Sequence, residues 1–284
     1  MKMQSKPGIM ARQIGRWACH KLECFADYVQ AYTARPENTE RCYLELYAGC
    51  GRCRCRGTDC LIDDSPLRAL AAGFTRCIFV SGDQEDARSL DGLTGARKDG
   101  QVDIMVGNCN QASFIRQLID RIPRSASSLA FIDPPGYRWL RWKTVARLAE
   151  HGRDWKGHRM DMLIVFPLEM ALLRNLTRLE CQASITRLYG NREWLEIRQA
   201  RLEGKVAPAQ VRQRLVALFK ANLKGLGYRH VDDFRPASFS RQPFYHIIWA
   251  SDSSSGVKLL NEAWGKARYL PCELLYNSKD GSDA

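Results

Sequence analysis

The stretch Tyr43-Leu-Glu-Leu-Tyr-Ala-Gly-Cys-Gly51 decides how this chain is interpreted, because an apolar strand pattern breaks there into a glycine turn. Further along, Cys77-Ile-Phe-Val80 ends near an acid, Asp83, and Leu129-Ala-Phe-Ile-Asp-Pro-Pro-Gly136 closes another buried run with a polar tip. A strand, a glycine turn, an acid after the next strand and a polar strand end are together typical of a nucleoside-binding α/β sheet. The sequence therefore predicts such a sheet with chemistry beside the ligand.

Composition limits the classes of protein that fit. The chain has 284 residues, of which 45% are apolar, so one large α/β domain can bury a complete core. Its formal net charge of +12 favours polyanionic partners such as nucleic acid, with a basic enzyme lacking such a partner as the alternative. The N-terminus carries no apolar signal core, no run reaches membrane length, and the eleven cysteines are compatible with a reducing compartment. We therefore expect a cytoplasmic protein without membrane association.

The order of predicted elements gives the fold class. Strands are predicted at 41–47, 76–80, 102–106, 128–132, 161–166, 228–239 and 244–250. Helices are predicted at 14–33, 67–72, 111–121, 168–176, 187–201, 208–226 and 257–268, with a polar loop at 48–64. This alternation indicates a doubly wound, mostly parallel, seven-stranded α/β sheet of the class I methyltransferase type (Rossmann-like) with a helical insertion. The expected divisions are an N-terminal helical cap at 1–40, a cofactor-binding core at 41–180, a basic helical insertion at 181–227, and a closing strand pair with a C-terminal helix at 228–284.

The turn after the first strand contains Ala48, Gly49 and Gly51, where a ligand can approach the backbone closely. A dinucleotide needs a helix N-terminus directly behind such a turn, but the next helix starts only near Ser65. S-adenosylmethionine carries no phosphate, and its α-amino group can pair with a carboxylate such as Glu45. We therefore expect these residues to hold the methionine part of S-adenosylmethionine, unless the glycines only make a turn.

Two further polar positions extend the predicted cofactor site. Asp83 follows the second strand, where a carboxylate can accept hydrogen bonds from both ribose hydroxyl groups, with Glu85 as a rival. Asn108 follows the third strand, where its amide can bind the adenine amino group. The alternative for Asp83 is an acid in a solvated loop.

The segment Asp133-Pro-Pro-Gly-Tyr137 carries the most specific chemistry. It resembles the Asp/Asn-Pro-Pro-aromatic segment of nucleic-acid amino-methyltransferases, in which the polar side chain and a proline carbonyl position the target amino group. The aromatic residue of that segment stacks on an extruded base. The resemblance implies catalytic roles for Asp133, Pro134 and Tyr137, although Gly136 fills the aromatic slot and Tyr137 comes one residue late. A structural Pro-Pro turn is the alternative.

Cations and aromatic residues near these motifs predict contacts with nucleic acid. The run Tyr137-Arg-Trp-Leu-Arg-Trp-Lys143 alternates the two types, which suits base stacking and phosphate neutralisation. The substrate-binding residues expected from this run and from the glycine loop are Arg52, Arg54, Arg56, Arg138 and Trp142. Packing of Trp142 in the core is the alternative, and the basic helices of the insertion also fit an ordinary solvated surface.

Four cysteines in the glycine loop raise the alternative of a metal site. Cys50, Cys53, Cys55 and Cys60 include one Cys-x-x-Cys pair, from which a zinc or iron–sulfur site could be drawn. A second such pair is missing from the sequence, and the cluster overlaps the proposed cofactor turn. We therefore expect no metal here.

Several stretches resemble the three-Cys-motif partner (TcmP) family. They are Trp17-Ala-Cys-His-Lys-Leu22, Leu46-Tyr-Ala-Gly-Cys-Gly-Arg-Cys-Arg-Cys-Arg-Gly-Thr58, Ile62-Asp-Asp-Ser-Pro66, Phe131-Ile-Asp-Pro-Pro-Gly136, Phe166-Pro167 and Tyr245-His-Ile-Ile-Trp-Ala-Ser251. The resemblance implies a methyltransferase-like Rossmann domain of bacteria and their phages, associated with a second protein that carries a radical-SAM-like three-cysteine motif. Cys50 and Cys55 replace a proline and an aliphatic residue of that pattern, and Ser81 replaces an acid, which assigns the ribose contact to Asp83.

Two hypotheses follow from the sequence. The first is an S-adenosylmethionine-dependent methyltransferase that modifies a nucleic acid, alone or with a partner subunit. The second is a non-catalytic, methyltransferase-like scaffold that binds a radical-SAM-type three-cysteine protein. The first hypothesis requires an open hollow above Gly49 that faces Asp133.

Overall fold

Two β-sheets organise the chain in the computed structural model, which describes residues 2–5, 9–35, 40–56, 60–95, 100–151, 159–234 and 246–266. The larger sheet has seven strands and helices on both faces, which confirms the predicted doubly wound α/β class. The smaller sheet has four strands and lies at the N-terminal end of the fold, where the sequence predicted helix and loop.

The elements have the following bounds. The strands are β1 Lys2–Ser5, β2 Ile9–Ile14, β3 Arg41–Leu46, β4 Arg52–Cys55, β5 Leu61–Asp63, β6 Arg76–Ser81, β7 Val102–Val106, β8 Ser127–Ile132, β9 Asp161–Phe166, β10 His230–Phe234 and β11 His246–Ser251. The helices are α1 Arg16–Thr33, α2 Ser65–Ala71, α3 Gln84–Thr94, α4 Ala112–Asp120, α5 Trp142–Glu150, α6 Gln182–Tyr189, α7 Trp194–Leu202, α8 Pro208–Gly225 and α9 Ser255–Lys266. Short helical turns follow β9 at Leu168–Leu172, Leu173–Asn175 and Leu179–Cys181.

The large sheet has the strand order β7-β6-β3-β8-β9-β11-β10. All neighbouring strands are parallel except β11, which runs antiparallel to β9 and β10. The chain leaves β3 towards β6 and β7 and then returns to β8 on the other side of β3. This reversal creates a topological switch point between β3 and β8, and ligands of open α/β sheets bind beyond the carboxyl ends of the strands at such points.

Both faces of the sheet are buried because its central strands are apolar on both sides. On one face, Phe25 of α1 packs on Phe131 of β8, with ring centroids 4.5 Å apart, and near Tyr43 of β3. On the other face, Leu44 joins Val145 of α5 in the second core. The first helix therefore covers the central strands of the sheet.

The smaller sheet corrects two sequence predictions. Strands β1 and β2 form a hairpin within the predicted N-terminal helical cap, and β4 and β5 form another within the predicted loop at 48–64. β2 pairs in parallel with β4, and a disulfide between Cys19 and Cys55 joins α1 to β4. β4 has the sequence Arg-Cys-Arg-Cys, in which half-buried arginines alternate with buried cysteines. This is the pattern of a half-buried strand, with cysteine as the apolar residue.

Helix bounds also differ from the predictions in informative ways. α2 begins at Ser65, two residues before the predicted start, because Asp64 is its N-cap and accepts a hydrogen bond from the Ser65 amide at 2.9 Å. α3 was not predicted, since its sequence is largely polar and only a narrow face of it is buried. The predicted ends of the last strands and of the C-terminal helix lie partly at 235–245 and 267–268, outside the described residues. No helix in the described ranges is long and apolar enough to cross a membrane.

The helical insertion between β9 and β10 contains α6, α7 and α8, which pack on the same face of the sheet as α5. The sequence predicted a single helix at 187–201, but α6 ends at Tyr189, with Gly190 as its C-cap, and α7 begins at Trp194. Gly190 has φ of +76°, a left-handed conformation that ends helices and favours glycine. Because of this break, α7 is separate from α6 and contacts α8.

We expect Gly190→Ala to destabilise the protein more than Gly204→Ala. Both glycines have positive φ, so each alanine adds about 1 kcal/mol of backbone strain. A Cβ at Gly190 would also overlap the Trp142 indole, adding about 1–3 kcal/mol, whereas a Cβ at Gly204 would meet no atom within 4 Å. Urea unfolding of both variants measures the difference, and equal losses would contradict the close packing of Trp142 on Gly190.

Candidate functional site

A cavity of about 580 Å³ opens at the carboxyl ends of β3, β6, β8 and β9, above the switch point. Its volume lies within the range of small-molecule sites in proteins. The strand ends contribute one wall, and the segment from β2 into α1 contributes the other. The lining residues used below are Arg12, Trp17, Lys21, Ala48, Arg56, Gly82, Asp83, Asp86, Asp133, Pro134 and Trp139.

The chain leaves β3 through a strained residue at the base of the cavity. Tyr47 has φ of +73°, which is uncommon for a residue with a large side chain. Its hydroxyl donates a hydrogen bond to the Trp139 carbonyl, and the next amide, of Ala48, donates to the Val80 carbonyl at 2.8 Å. These bonds hold the turn so that Ala48 lines the cavity. Backbone strain that is maintained by its surroundings is characteristic of functional sites.

The two glycines of the turn do not line the cavity, contrary to the expectation of a hollow above Gly49. A Cβ added to Gly49 would lie 2.9 Å from Asp64 Oδ2 and 3.2 Å from the Arg12 guanidinium, so this chain's own side chains fill that space. Gly51 faces leucine side chains of α3. The open space lies instead over Ala48 and Gly82, and it extends to Asp133.

Glu45 lies beneath the turn rather than in the cavity. Its side chain is buried and accepts hydrogen bonds from the Tyr43 hydroxyl at 2.8 Å and from the Ser65 hydroxyl at 2.6 Å. Burial, followed by the nearby charge of Asp64, raises the pKa of Glu45 to about 8. The raised pKa favours the protonated form of Glu45 at neutral pH, and its hydrogen bonds tie it to β3 and α2.

We expect Glu45→Gln to remove a pH dependence of stability. In the unfolded chain Glu45 ionises at its ordinary pKa, whereas in the folded chain its pKa is about 8. The free energy of unfolding therefore falls as the pH rises from the ordinary pKa of glutamate to about 8. The loss amounts to about 1 kcal/mol per pH unit, and glutamine escapes it because it does not ionise. Urea unfolding of both proteins at about pH 6 and about pH 8 tests this sign. If the difference in free energy of unfolding between the two proteins were the same at both pH values, Glu45 would already be ionised in the folded state.

Carboxylates gather where β6 ends. Asp83 is the N-cap of α3 and accepts hydrogen bonds from the amides of Glu85 and Asp86 at 2.8 and 3.1 Å. The buried Asp86 contacts the Arg12 guanidinium at 3.4 Å, and both residues line the cavity. Two carboxylates and one guanidinium thus lie on the same wall of the cavity. The carboxylates can accept hydrogen bonds from hydroxyl groups of a ligand, and the guanidinium can bind a ligand carboxylate.

The end of β8 forms the opposite corner. Asp133 and Pro134 line the cavity, and Asp133 forms an ion pair with Lys21 of α1. The Lys21 side chain is only 8% exposed, and its ammonium lies 5.6 Å from the centre of the Trp17 ring. Tyr137 does not reach this corner, since it is buried and its hydroxyl accepts a hydrogen bond from Arg138.

Trp139 is an exposed aromatic residue that lines the cavity. Its side chain is 54% exposed, while its carbonyl accepts hydrogen bonds from the Tyr47 hydroxyl and from Asn110 Nδ2, the latter at 2.7 Å. Two hydrogen bonds therefore hold the Trp139 backbone in place, while its indole is exposed beside the cavity. Arg138, Arg141 and Lys143, in the same segment, are exposed as well.

The remaining predicted site residues lie away from the cavity, except Arg56, which lines it. Asn108 accepts a hydrogen bond from the Asn110 amide in a turn after β7. Arg52 pairs with Asp63 at 2.6 Å within the β4–β5 hairpin, where Arg54 also lies. Trp142 packs edge-on against Phe219, as its core alternative predicted.

The cysteine cluster is divided among different structures. Cys55 is bonded to Cys19, and the buried Cys50 donates a hydrogen bond to the Arg52 carbonyl at 3.3 Å. Within the described ranges, no three His, Cys, Asp or Glu side chains are grouped so that they could hold a metal ion.

Sequence reasoning missed the residues that the N-terminal segment brings to the site. Arg12 comes from a strand that was not predicted, and Lys21 lies in the helix predicted at 14–33, which was assigned only to an N-terminal cap. The one available signal was the spacing of Trp17 and Lys21, which lie four residues apart and so share a helix face. Nothing in the sequence indicated that this face meets Asp133.

Comparisons with known proteins found no matching family model and no matching curated protein. Solved structures of the same fold class do match. Aeropyrum pernix fibrillarin with natively bound S-adenosyl-L-methionine is 12% identical, with 82% of this chain and 76% of that chain covered and a TM-score of 0.42. M. jannaschii TYW2 in complex with AdoMet is 8% identical, with 88% and 84% covered and a TM-score of 0.40. At these values the function has to be argued from the site itself.

Proposed function

We propose that this protein transfers a methyl group from S-adenosylmethionine to an amino group of a nucleic acid. The observation that carries this proposal is one cavity, at the switch point of a mostly parallel sheet, that joins the Ala48 turn and Asp83 to the Asp133-Pro134 corner. A cofactor bound on the first side would direct its methyl group towards an acceptor on the second.

The residues present fit S-adenosylmethionine. The carboxylates of Asp83 and Asp86 are suited to accept hydrogen bonds from ribose hydroxyls, and the guanidinium groups of Arg12 and Arg56 are suited to bind the methionine carboxylate. Gly82 borders open space, as a close approach of the ligand to the backbone requires. The bound cofactor would supply an electrophilic methyl group, and the α-amino group would pair with a carboxylate other than Glu45.

At the acceptor corner, the Asp133 carboxylate and the Pro134 carbonyl would accept hydrogen bonds from the target amino group. This contact orients the nitrogen lone pair towards the methyl group, which is a positioning effect. Trp139 would take the stacking role expected of Tyr137, because its indole is exposed beside the cavity whereas the Tyr137 ring is buried. The exposed cations of the same segment would contact phosphates.

Isothermal titration with S-adenosylhomocysteine tests the cofactor proposal. We expect stoichiometric binding, and we expect Asp83→Asn to weaken it by removing charge while retaining the N-cap of α3. The matched control is Asp103→Asn, since Asp103 pairs with Arg121 away from the cavity. Absence of binding to the free protein, and to its complex with a partner, would end the methyltransferase proposal.

A second candidate is a methyltransferase-like scaffold for a radical-SAM-type protein with a three-cysteine motif. Two observations favour it: Arg12 and Asp64 cover Gly49, and Lys21 is paired with the proposed catalytic carboxylate. Both candidate functions agree with the expected membership of the TcmP family and with the expected cytoplasmic location. Co-purification of such an iron–sulfur protein, together with full biological activity of Asp133→Ala, would support the scaffold.

A further inference from the structure

The acceptor corner already holds an amine of this chain. Lys21 is paired with Asp133 and lines the same cavity as Ala48 and Asp83. In the proposed reaction, the target amino group would donate a hydrogen bond to this same carboxylate. The Lys21 ammonium thus stands where the acceptor nitrogen is expected.

We propose that Lys21 is itself a methyl acceptor, so that the protein methylates its own α1 at this position. The inference rests on the proposed function, because it requires S-adenosylmethionine in the cavity. It adds a modification site and identifies a primary amine as an acceptor that the corner can hold.

The geometry restricts Lys21 in a way that favours reaction. Lysine usually loses considerable side-chain freedom when it is ordered, but here burial, Asp133 and the Trp17 ring already fix the side chain. α1 is fixed in turn by its packing on the central strands and by the Cys19–Cys55 disulfide. The nitrogen is therefore presented without a further ordering step, which is the main benefit of proximity in catalysis.

The chemistry balances with groups at the corner. The Lys21 ammonium first gives a proton to the Asp133 carboxylate, whose side chain is 29% exposed and can release the proton to water. The nitrogen lone pair then forms a bond to the sulfonium methyl carbon, while the carbon–sulfur bond breaks and its electron pair stays on sulfur. The products are methylated, positively charged Lys21 and neutral S-adenosylhomocysteine. Because the charge is retained, the product can still pair with Asp133.

Peptide mass spectrometry of the full chain tests this directly. The protein is mapped as purified and again after incubation with S-adenosylmethionine that carries a deuterated methyl group. We expect a methyl group on Lys21 and none on two control lysines, the ion-paired Lys220 and the exposed Lys143. Lys21→Arg should abolish the incorporation, and Asp133→Asn should slow it about 100-fold or more by removing the base.

A second measurement needs no methyl transfer. Acylation of lysines with acetic anhydride is followed peptide by peptide, with and without S-adenosylhomocysteine. We expect this ligand to slow acylation of Lys21 and to leave Lys220 unchanged, because only Lys21 borders the cavity described above.

The outcomes separate the inference from the proposed function. Binding of S-adenosylhomocysteine without methylation of Lys21, or without its protection from acylation, would overturn the inference and leave the proposed function standing. Failure of the ligand to bind at all would overturn both.

Discussion

Methyl transfer to a nucleic-acid substrate is expected to fall about 100-fold or more when Asp133 is replaced by alanine. In the proposed mechanism, the substitution removes the side-chain acceptor that would orient the target amino group, and it leaves the buried Lys21 ammonium without its ion-pair partner. The substitution does not change Ala48 and Asp83 on the proposed cofactor side of the cavity, so S-adenosylhomocysteine should bind with the same affinity. Initial rates of transfer from labelled S-adenosylmethionine, measured beside the titration, separate these two effects.

Asp133→Asn is the matched control for this prediction. Asparagine keeps an acceptor oxygen at the same place, so transfer to a neutral base amine should stay within about 10-fold of the wild-type rate. Methylation of Lys21 should slow about 100-fold or more in the same variant, because an ammonium needs a base to release its proton and a neutral base amine does not. An alanine variant with the full rate of transfer would remove Asp133 from the mechanism.

The large sheet could be predicted from the sequence because its signals are local. The runs that became β3, β6, β8 and β9 are apolar on both faces, and that pattern is typical of central parallel strands. The small sheet could not be predicted, because β4 is a short strand whose buried positions are cysteines. Its parallel pairing with β2 is a contact between residues distant in sequence, which local patterns do not encode.

The residues that line the cavity could be predicted where strand ends determine their position. Ala48, Asp83, Asp133 and Pro134 each follow a strand, and parallel strands bring their carboxyl ends to one edge of the sheet. Gly49 was expected beside the cofactor on the basis of its missing side chain, but that space is needed by Asp64 and Arg12. A glycine indicates a close approach without telling whether a ligand or the protein makes it.

The other wall of the cavity depends on the N-terminal segment, and no local pattern indicates that this segment lies close to Asp133. Lys21 reaches Asp133 because α1 lies across the central strands, a placement determined by aromatic packing of residues such as Phe25. The role predicted for Tyr137 failed for a related reason, since that ring is buried two residues before the exposed Trp139. Periodicity distinguishes a buried residue from an exposed one poorly in a short loop.

Replacement of Trp139 is expected to have the second large effect, which is on the affinity for nucleic acid. We expect Trp139→Ala to weaken binding of a single-stranded oligonucleotide about 5- to 100-fold, because stacking of one base on an aromatic side chain contributes about 1–3 kcal/mol. Trp139→Phe should retain most of the affinity. Fluorescence anisotropy of a labelled oligonucleotide measures the affinity without any cofactor, so the result does not depend on methyl transfer.

Two controls show whether stacking is the cause. Leu179 is 71% exposed and lies outside the cavity, so Leu179→Ala removes exposed apolar surface without changing the proposed interface. The salt dependence of binding reports the number of phosphate contacts, and it should stay the same in Trp139→Ala because no charge is altered. An affinity that falls equally in the Leu179 and Trp139 variants, or a salt dependence that changes with Trp139, would indicate a general change of surface or fold. Undiminished affinity in Trp139→Ala would place nucleic acid elsewhere on the protein and leave the exposed indole to a protein partner.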